Sequence, residues 1–223
     1  MPINMVYRTP ADLPAAIPIF PLPGVLLLPR GEMPLNVFEP RYLAMVDEAL
    51  AGTRLIGMVQ PEFDQPEDAT NPPLVGIGCV GRITAFQESG DGRYMITLTG
   101  VSRFQIEEEI ASDAPYRRCH VNYSPFQDDF VPGAGEEAVD RAMLMRTLKA
   151  YLEANQLEAD WSGIRGASNE ALVNALSMMS PYGAREKQAL LEAPDLRSRA
   201  EILVAITEMD IAKTRTDTDT SLQ

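Results

Sequence analysis

The feature that most constrains this chain is a change in the spacing of its apolar residues. Up to Phe126, short β-branched runs alternate with Pro and Gly; beyond Gly135, apolar residues recur every three or four positions. A sequence that switches period in this way builds strands first and helices afterwards, which is an α+β class. The stretch between, residues 127–135, is polar and broken by Pro132 and two glycines, and reads as a linker. The reading therefore divides the chain into a β-rich part (1–126), a linker (127–135), a helical bundle (136–213) and a tail (214–223). Alternating Thr and Asp from Thr214 offer nothing to bury, so the tail is expected to be disordered.

Candidate strands are Ile17 to Leu22, Val25 to Leu28, Arg54 to Val59, Val75 to Gln87, Arg93 to Thr99, Arg103 to Glu109 and Tyr116 to Tyr123. The sharpest local signal is Ser89-Gly90-Asp91-Gly92, where glycine supplies the positive φ of a tight turn between two antiparallel runs. One helix interrupts the strands. Glu39-Pro40 opens it, Gly52 closes it, and Tyr42, Met45, Val46, Ala49 and Leu50 share a face. In the second half, three stripes predict three helices: Ala138 to Leu152, Leu172 to Met179 and Leu196 to Ile206. Ser168 and Ser180 are expected N-caps, with Pro181 opening a short helix that ends near Glu192.

Composition removes several classes of function. The net charge is −13, and the acidic surplus is spread over both halves, with 9 Lys+Arg against 15 Asp+Glu through Phe126 and 10 against 17 after it. Nucleic acid and anionic lipid reward clustered cations, so neither is an expected partner. No apolar run approaches the roughly 18 residues of a membrane span, and Met1 to Pro10 lack the pattern of a signal peptide, so the expected compartment is the cytoplasm. Cys79 and Cys119 belong to no paired motif and read as buried strand residues.

The marks of catalysis are missing in the same way. No glycine precedes Lys149, Lys187 or Lys213, which excludes a phosphate-binding P-loop. His120 is the sole histidine, so a two-histidine metal motif within one chain is excluded, and its place in a run of strand formers suits a surface residue. There is no Gly-x-Ser-x-Gly elbow and no Ser-x-x-Lys pair. Glu107-Glu108-Glu109 alternates between strand faces and suits a solvated edge. Gly76-Ile77-Gly78 with Gly81 lacks the helix that a dinucleotide site needs, and predicts bends or bulges instead. The expectation is a non-enzyme with no cofactor and no metal.

Several segments carry a family resemblance: Ile17-Pro18-Ile19-Phe20-Pro21-Leu22 with Gly24 and Val25, Pro34-Leu35-Asn36-Val37-Phe38-Glu39-Pro40-Arg41-Tyr42, and Ile56-Gly57-Met58-Val59. Gly76 to Ile83 and Gly100-Val101-Ser102-Arg103-Phe104 extend it, and Leu176 to Pro181 with Glu186 to Glu192 carry it into the helical half. Together they resemble the Lon protease N-terminal, substrate-binding domain family in its free-standing bacterial form; the chain ends without Walker motifs or a proteolytic domain. The resemblance implies a PUA-like β-barrel followed by an α-helical bundle. It also implies a protein- or peptide-binding role, taking unfolded or misfolded segments as clients, with a protease or chaperone as a further partner.

Eleven methionines suit such a role, because their flexible, polarizable side chains adapt to varied partners. Met33, Pro34, Val37, Phe38, Arg41 and Tyr42, at a strand-to-helix transition, are the candidate binding residues; packing of Phe38 and Tyr42 onto the barrel is the competing reading. Two rival functions are an RNA-binding PUA-like protein, against which the missing basic cluster argues, and a small-molecule binder or cryptic hydrolase with a pocket near Trp161.

Overall fold

The computed structural model describes residues 5–64 and 71–220, with side chains through Lys213. The chain separates into two compact units, neither of them contiguous: Met1–Pro132 with Pro181–Leu191, and Gly133–Ser180 with Glu192–Gln223.

The first unit is built on six strands: β1 (Ala16–Pro21), β2 (Glu32–Val37), β3 (Leu55–Val59), β4 (Ile77–Glu88), β5 (Tyr94–Glu109) and β6 (Arg117–Asn122). They run in the order β2-β5-β4-β3-β1-β6, and β5 pairs β6 as well. That last pairing closes β5, β4, β3, β1 and β6 into a ring, leaving β2 as an outer strand on the first half of β5. Length makes the closure work. The sixteen residues of β5 serve β2 with their first half and β6 with their second. All pairings are antiparallel except β1 with β3.

The barrel interior is filled by Ile17, Ile19, Leu55, Val59, Val80, Phe104, Cys119 and Val121. Two glycines make room for the Phe104 ring: a Cβ on Gly57 would meet it at 3.0 Å, and one on Gly78 at 2.5 Å. Close approach therefore explains Gly78, while a register shift between Val80 and Gly81 supplies the bulge expected in this run. Helix α1 (Pro40–Ala51) buries Tyr42, Met45, Val46 and Ala49 and ends at Gly52, as its sequence predicts.

The first unit differs from the sequence reading in several places, and the expected strands Arg93 to Thr99 and Arg103 to Glu109 are one continuous β5. Val25 to Leu28 forms no strand, although Leu26, Leu27 and Leu28 are all buried; an apolar run marks burial, not pairing. Strand β2 is a segment the periodicity did not mark, since Pro34 interrupts it; a proline fits an outer strand, where its missing N–H need not serve the ladder. The linker is anchored: Ser124–Phe130 is a 3-10 segment in which Phe126 and Asp129 are buried. Helix α5 (Ala184–Glu192) lies within the first unit up to Leu191 and was assigned to the bundle by its helical pattern alone.

Polar side chains hold α5 there. Gln60 donates to the Ala184 carbonyl (2.9 Å) and to Gln188 (3.2 Å), and accepts from the Gly24 N–H (2.9 Å). Gln188 in turn donates to the Ile77 carbonyl at 3.1 Å.

The second unit contains α2 (Arg141–Ala154), α3 (Trp161–Gly166), α4 (Asn169–Met179) and α6 (Leu196–Thr220). Asp140, Asp160 and Ser168 cap the first three by accepting from backbone N–H groups. Ser180 instead ends α4, and α5 begins at Ala184, so the expected cap at Ser180 and helical start at Pro181 are corrected. Leu144, Leu148, Leu172, Val173, Ala200, Leu203 and Val204 form the apolar interior. Arg141 ties α2 to α4 and α3, donating to Asn169 (2.8 Å) and to the Ile164 and Arg165 carbonyls. Helix α6 continues as backbone to Thr220, where a disordered tail was expected from Thr214; residues 221–223 of that tail lie outside the described residues. Extending a formed helix fixes one residue per added hydrogen bond, which offsets the poor propensity of Thr and Asp.

Candidate protein-binding surface

The six residues singled out from sequence divide by exposure. Val37 is 1% exposed and Tyr42 6%, so both belong to the core. Tyr42 packs its ring 4.1 Å from that of Phe20, which is the packing role weighed against contact with a client. Met33 is half-buried on β2. Pro34, Phe38 and Arg41 are exposed, and Phe38 is 61% exposed at the turn from β2 into α1. Arg41 bonds Glu39 at 2.9 Å and lies 4.5 Å from the Tyr42 ring centroid.

Strand register brings further apolar residues to this end of the barrel. The β4–β5 hairpin turns through Ser89 to Gly92, with Gly90 and Gly92 at φ 79° and 84°, and it places Glu88 beside Tyr94. Tyr94 is also in register with Val37, the residue before Phe38. Arg93 lies 6.0 Å from the Phe38 ring centroid and pairs with Asp91 at 3.3 Å. On the Tyr94 face of the hairpin, Phe86 is 40% exposed and meets the Tyr94 ring edge-to-face at 5.0 Å. On the opposite face Met95, 45% exposed, is in register with Asn36 and Gln87.

Phe86, Tyr94 and Met95 were missing from the sequence-derived set. Their signal was the hairpin itself, since counting back from its turn puts Phe86 two positions before Glu88, on the same face.

Phe38, at the turn from β2 into α1, and Phe86 and Met95, on opposite faces of the β4–β5 hairpin, are large apolar groups left exposed, with ionic side chains nearby. None of the three carries a nucleophile. His120 stands on β6 facing Glu108 at 3.9 Å. Both cysteines are buried and form no disulfide with each other; burial pushes the Cys119 thiol up to about 11, so it stays protonated at neutral pH. Among the described residues, no three His, Cys, Asp or Glu side chains come together to hold a metal. A cavity of about 390 Å³ in the second unit is lined by Met143, Leu144, Arg197 and Val204 among others, and Trp161 is not part of its wall. Among the described residues no helix is long and apolar enough to cross a membrane.

Barrel, helical unit and exposed aromatic hairpin define a two-unit α+β module. The model of the ATP-dependent protease La (LON) substrate-binding domain matches residues 16–208, through both units, and the chain belongs to that family. Lon protease 2 of Sorangium cellulosum is 27% identical over 206 residues, covering 89% of this chain and 25% of that protein. The Lon protease of Cytophaga hutchinsonii is 27% identical over 207 residues, with 90% and 25% covered. The chain thus spans about a quarter of the length of these curated relatives. In structure it resembles the N-terminal domain of a Mycobacterium avium complex Lon protease, with a TM-score of 0.62, 20% identity, and 86% and 98% of the two chains covered. A Lon N-terminal domain protein from Xanthomonas campestris gives 0.58 at 22% identity, over 85% and 97%.

Proposed function

We propose that this chain binds unfolded or misfolded protein segments and holds or delivers them for proteolysis or quality control, in the cytoplasm, without chemistry of its own. The observation that carries this reading is the exposure of Phe38 at the turn from β2 into α1, and of Phe86 and Met95 on the β4–β5 hairpin. Exposed aromatic and methionine side chains on preorganised turns give adaptable contact area at small entropic cost. Membership of a substrate-binding family supports the same assignment.

The test is a titration of the chain against a reduced, unfolded model protein, followed by fluorescence anisotropy. Binding is expected in the micromolar range or weaker, and the triple change Phe38→Ser, Phe86→Ser, Met95→Ser should weaken it at least about tenfold, the loss of roughly 1.4 kcal/mol. Absence of any interaction, or equal binding by the triple variant, overturns the assignment.

A further inference from the structure

Strand β2 is paired along one side only. Its partner there is β5; among the described residues no strand pairs with its other side and no loop backbone bonds it there. Two hydrogen bonds fix which way its backbone points. The Gly100 N–H donates to the Gly31 carbonyl at 2.9 Å, and the Ser89 N–H donates to the Arg93 carbonyl at 3.1 Å. Gly100 therefore faces β2 and Arg93 faces β4, and alternation along β5 between them turns Tyr94, Ile96 and Leu98 toward β2. Their partners Val37, Leu35 and Met33 spend their backbone groups inside the sheet. Glu32, Pro34 and Asn36 point theirs away from it, and all three residues are exposed.

The outer edge thus carries a carbonyl from each of Glu32, Pro34 and Asn36, about 7 Å apart along the strand, and an N–H from Glu32 and from Asn36; proline has none. A row of main-chain donors and acceptors at this spacing is complemented by another extended main chain. Such an edge reads no side chain, which suits a site that accepts many sequences. Met95, in register with Asn36, stands exposed beside it, and Phe38 follows the end of the strand, so apolar contact adjoins the hydrogen-bonding edge.

We infer that an extended segment of the client adds to the outer edge of β2 as a further strand, held by main-chain hydrogen bonds to Glu32, Pro34 and Asn36. Pro34, by withholding one donor, keeps this pairing weak and reversible. The inference rests on the client-binding reading above and states how the segment is held.

Amide exchange of the isotope-labelled full chain, with and without the reduced, unfolded model protein at saturation, tests this and needs no variant to fold. Exchange at Glu32 and Asn36 should slow at least about tenfold, while the Met33 and Leu35 amides, already bonded to β5, change little. Asn36→Pro removes an outward N–H and should weaken binding about three- to tenfold, whereas Asn36→Ala, which keeps it, should stay within about twofold. Pro34→Ala restores a donor and should tighten binding about threefold. Binding without protection of Glu32 and Asn36, or equal affinity of Asn36→Pro and Asn36→Ala, removes the added strand and leaves the client-binding function standing. Protection that rises with the chain's own concentration, without client, overturns the inference by assigning the edge to a second copy. If the model protein does not bind at all, both readings fall.

Discussion

Arg103 and Asp129 form a buried, two-point ion pair: Nη2 lies 2.9 Å from Oδ1 and Nε 3.0 Å from Oδ2, and Oδ2 also accepts the Arg103 backbone N–H at 2.8 Å. The guanidinium rests 4.7 Å from the Phe126 ring centroid and spends another N–H on the Leu191 carbonyl at 3.1 Å. It thereby joins β5, the segment after β6 and the end of α5 within one unit. A buried pair gains little net energy over an apolar replacement, but removing one partner leaves a buried charge.

Asp129→Ala should accordingly cost about 3–5 kcal/mol. Replacing both partners together, Arg103→Met with Asp129→Leu, should cost much less than that single change. Urea denaturation of the three proteins gives the comparison; equal losses for Asp129→Ala and the double variant would show that the charge is not the issue.

Gly100 makes a sharper steric prediction. A Cβ there would run into the Leu28 carbonyl, which is backbone and cannot swing aside, while the Gly100 N–H and carbonyl bond Gly31 and Arg30 at 2.9 and 2.8 Å. Gly100→Ala should destabilise by about 3 kcal/mol. Gly76→Ala, where nothing lies within 4 Å, should stay within about 0.5 kcal/mol of the parent. Thermal melts of the two variants decide it.

Tyr42 and Phe38, four residues apart, should respond oppositely. Tyr42→Ala removes a buried ring packed at a tilt against Phe20 and is expected to cost about 3–5 kcal/mol. Phe38→Ala should change stability by no more than about 0.5 kcal/mol while weakening client binding. A stable Tyr42→Ala protein with impaired binding would reverse the assignment of the two side chains.

Alkaline pH provides a fourth check. Burial, then the hydrogen bond to Glu48, pushes the Tyr116 hydroxyl up to about 12. A folded-state pKa above the ordinary value of 10 means the folded chain holds this proton more tightly than the unfolded chain. The resulting stability is fully present below pH 10 and is lost as pH rises toward 12. Tyr116→Phe should remove part of that loss, read as a shallower decline of the denaturation midpoint over this range. Tyr123, also raised by burial, is unchanged in the variant and cancels in the comparison.

Local chemistry makes parts of this molecule legible in its sequence. Gly90 and Gly92 take the positive φ that their turn requires, and Pro40 and Gly52 bound α1 because each acts on its own backbone. The failures are non-local. Leu26 to Leu28 satisfies the pattern of a buried strand, yet nothing in those residues says whether a partner strand is present. Leu190 and Leu191 announce a buried helical face, but only the bonds from Gln60 to Ala184 and Gln188 say which unit it faces. The same limit governs the candidate residues: Val37 and Phe38 are adjacent in sequence and opposite in fate, and Phe86 comes to the Val37 end of the sheet only through the pairing of three strands.

Because α5 follows residues 133–180 in the chain, the first unit cannot be completed in the order in which it is synthesised. As the polypeptide leaves the ribosome, Gln60 and Arg103 emerge early, and the carbonyls of Ala184 and Leu191 that they will bond arrive seconds later, after the intervening helices. During that interval the nascent barrel carries an uncapped polar seam. Translation pauses placed between codons 132 and 184 are therefore where newly made copies would be most vulnerable to capture by their neighbours.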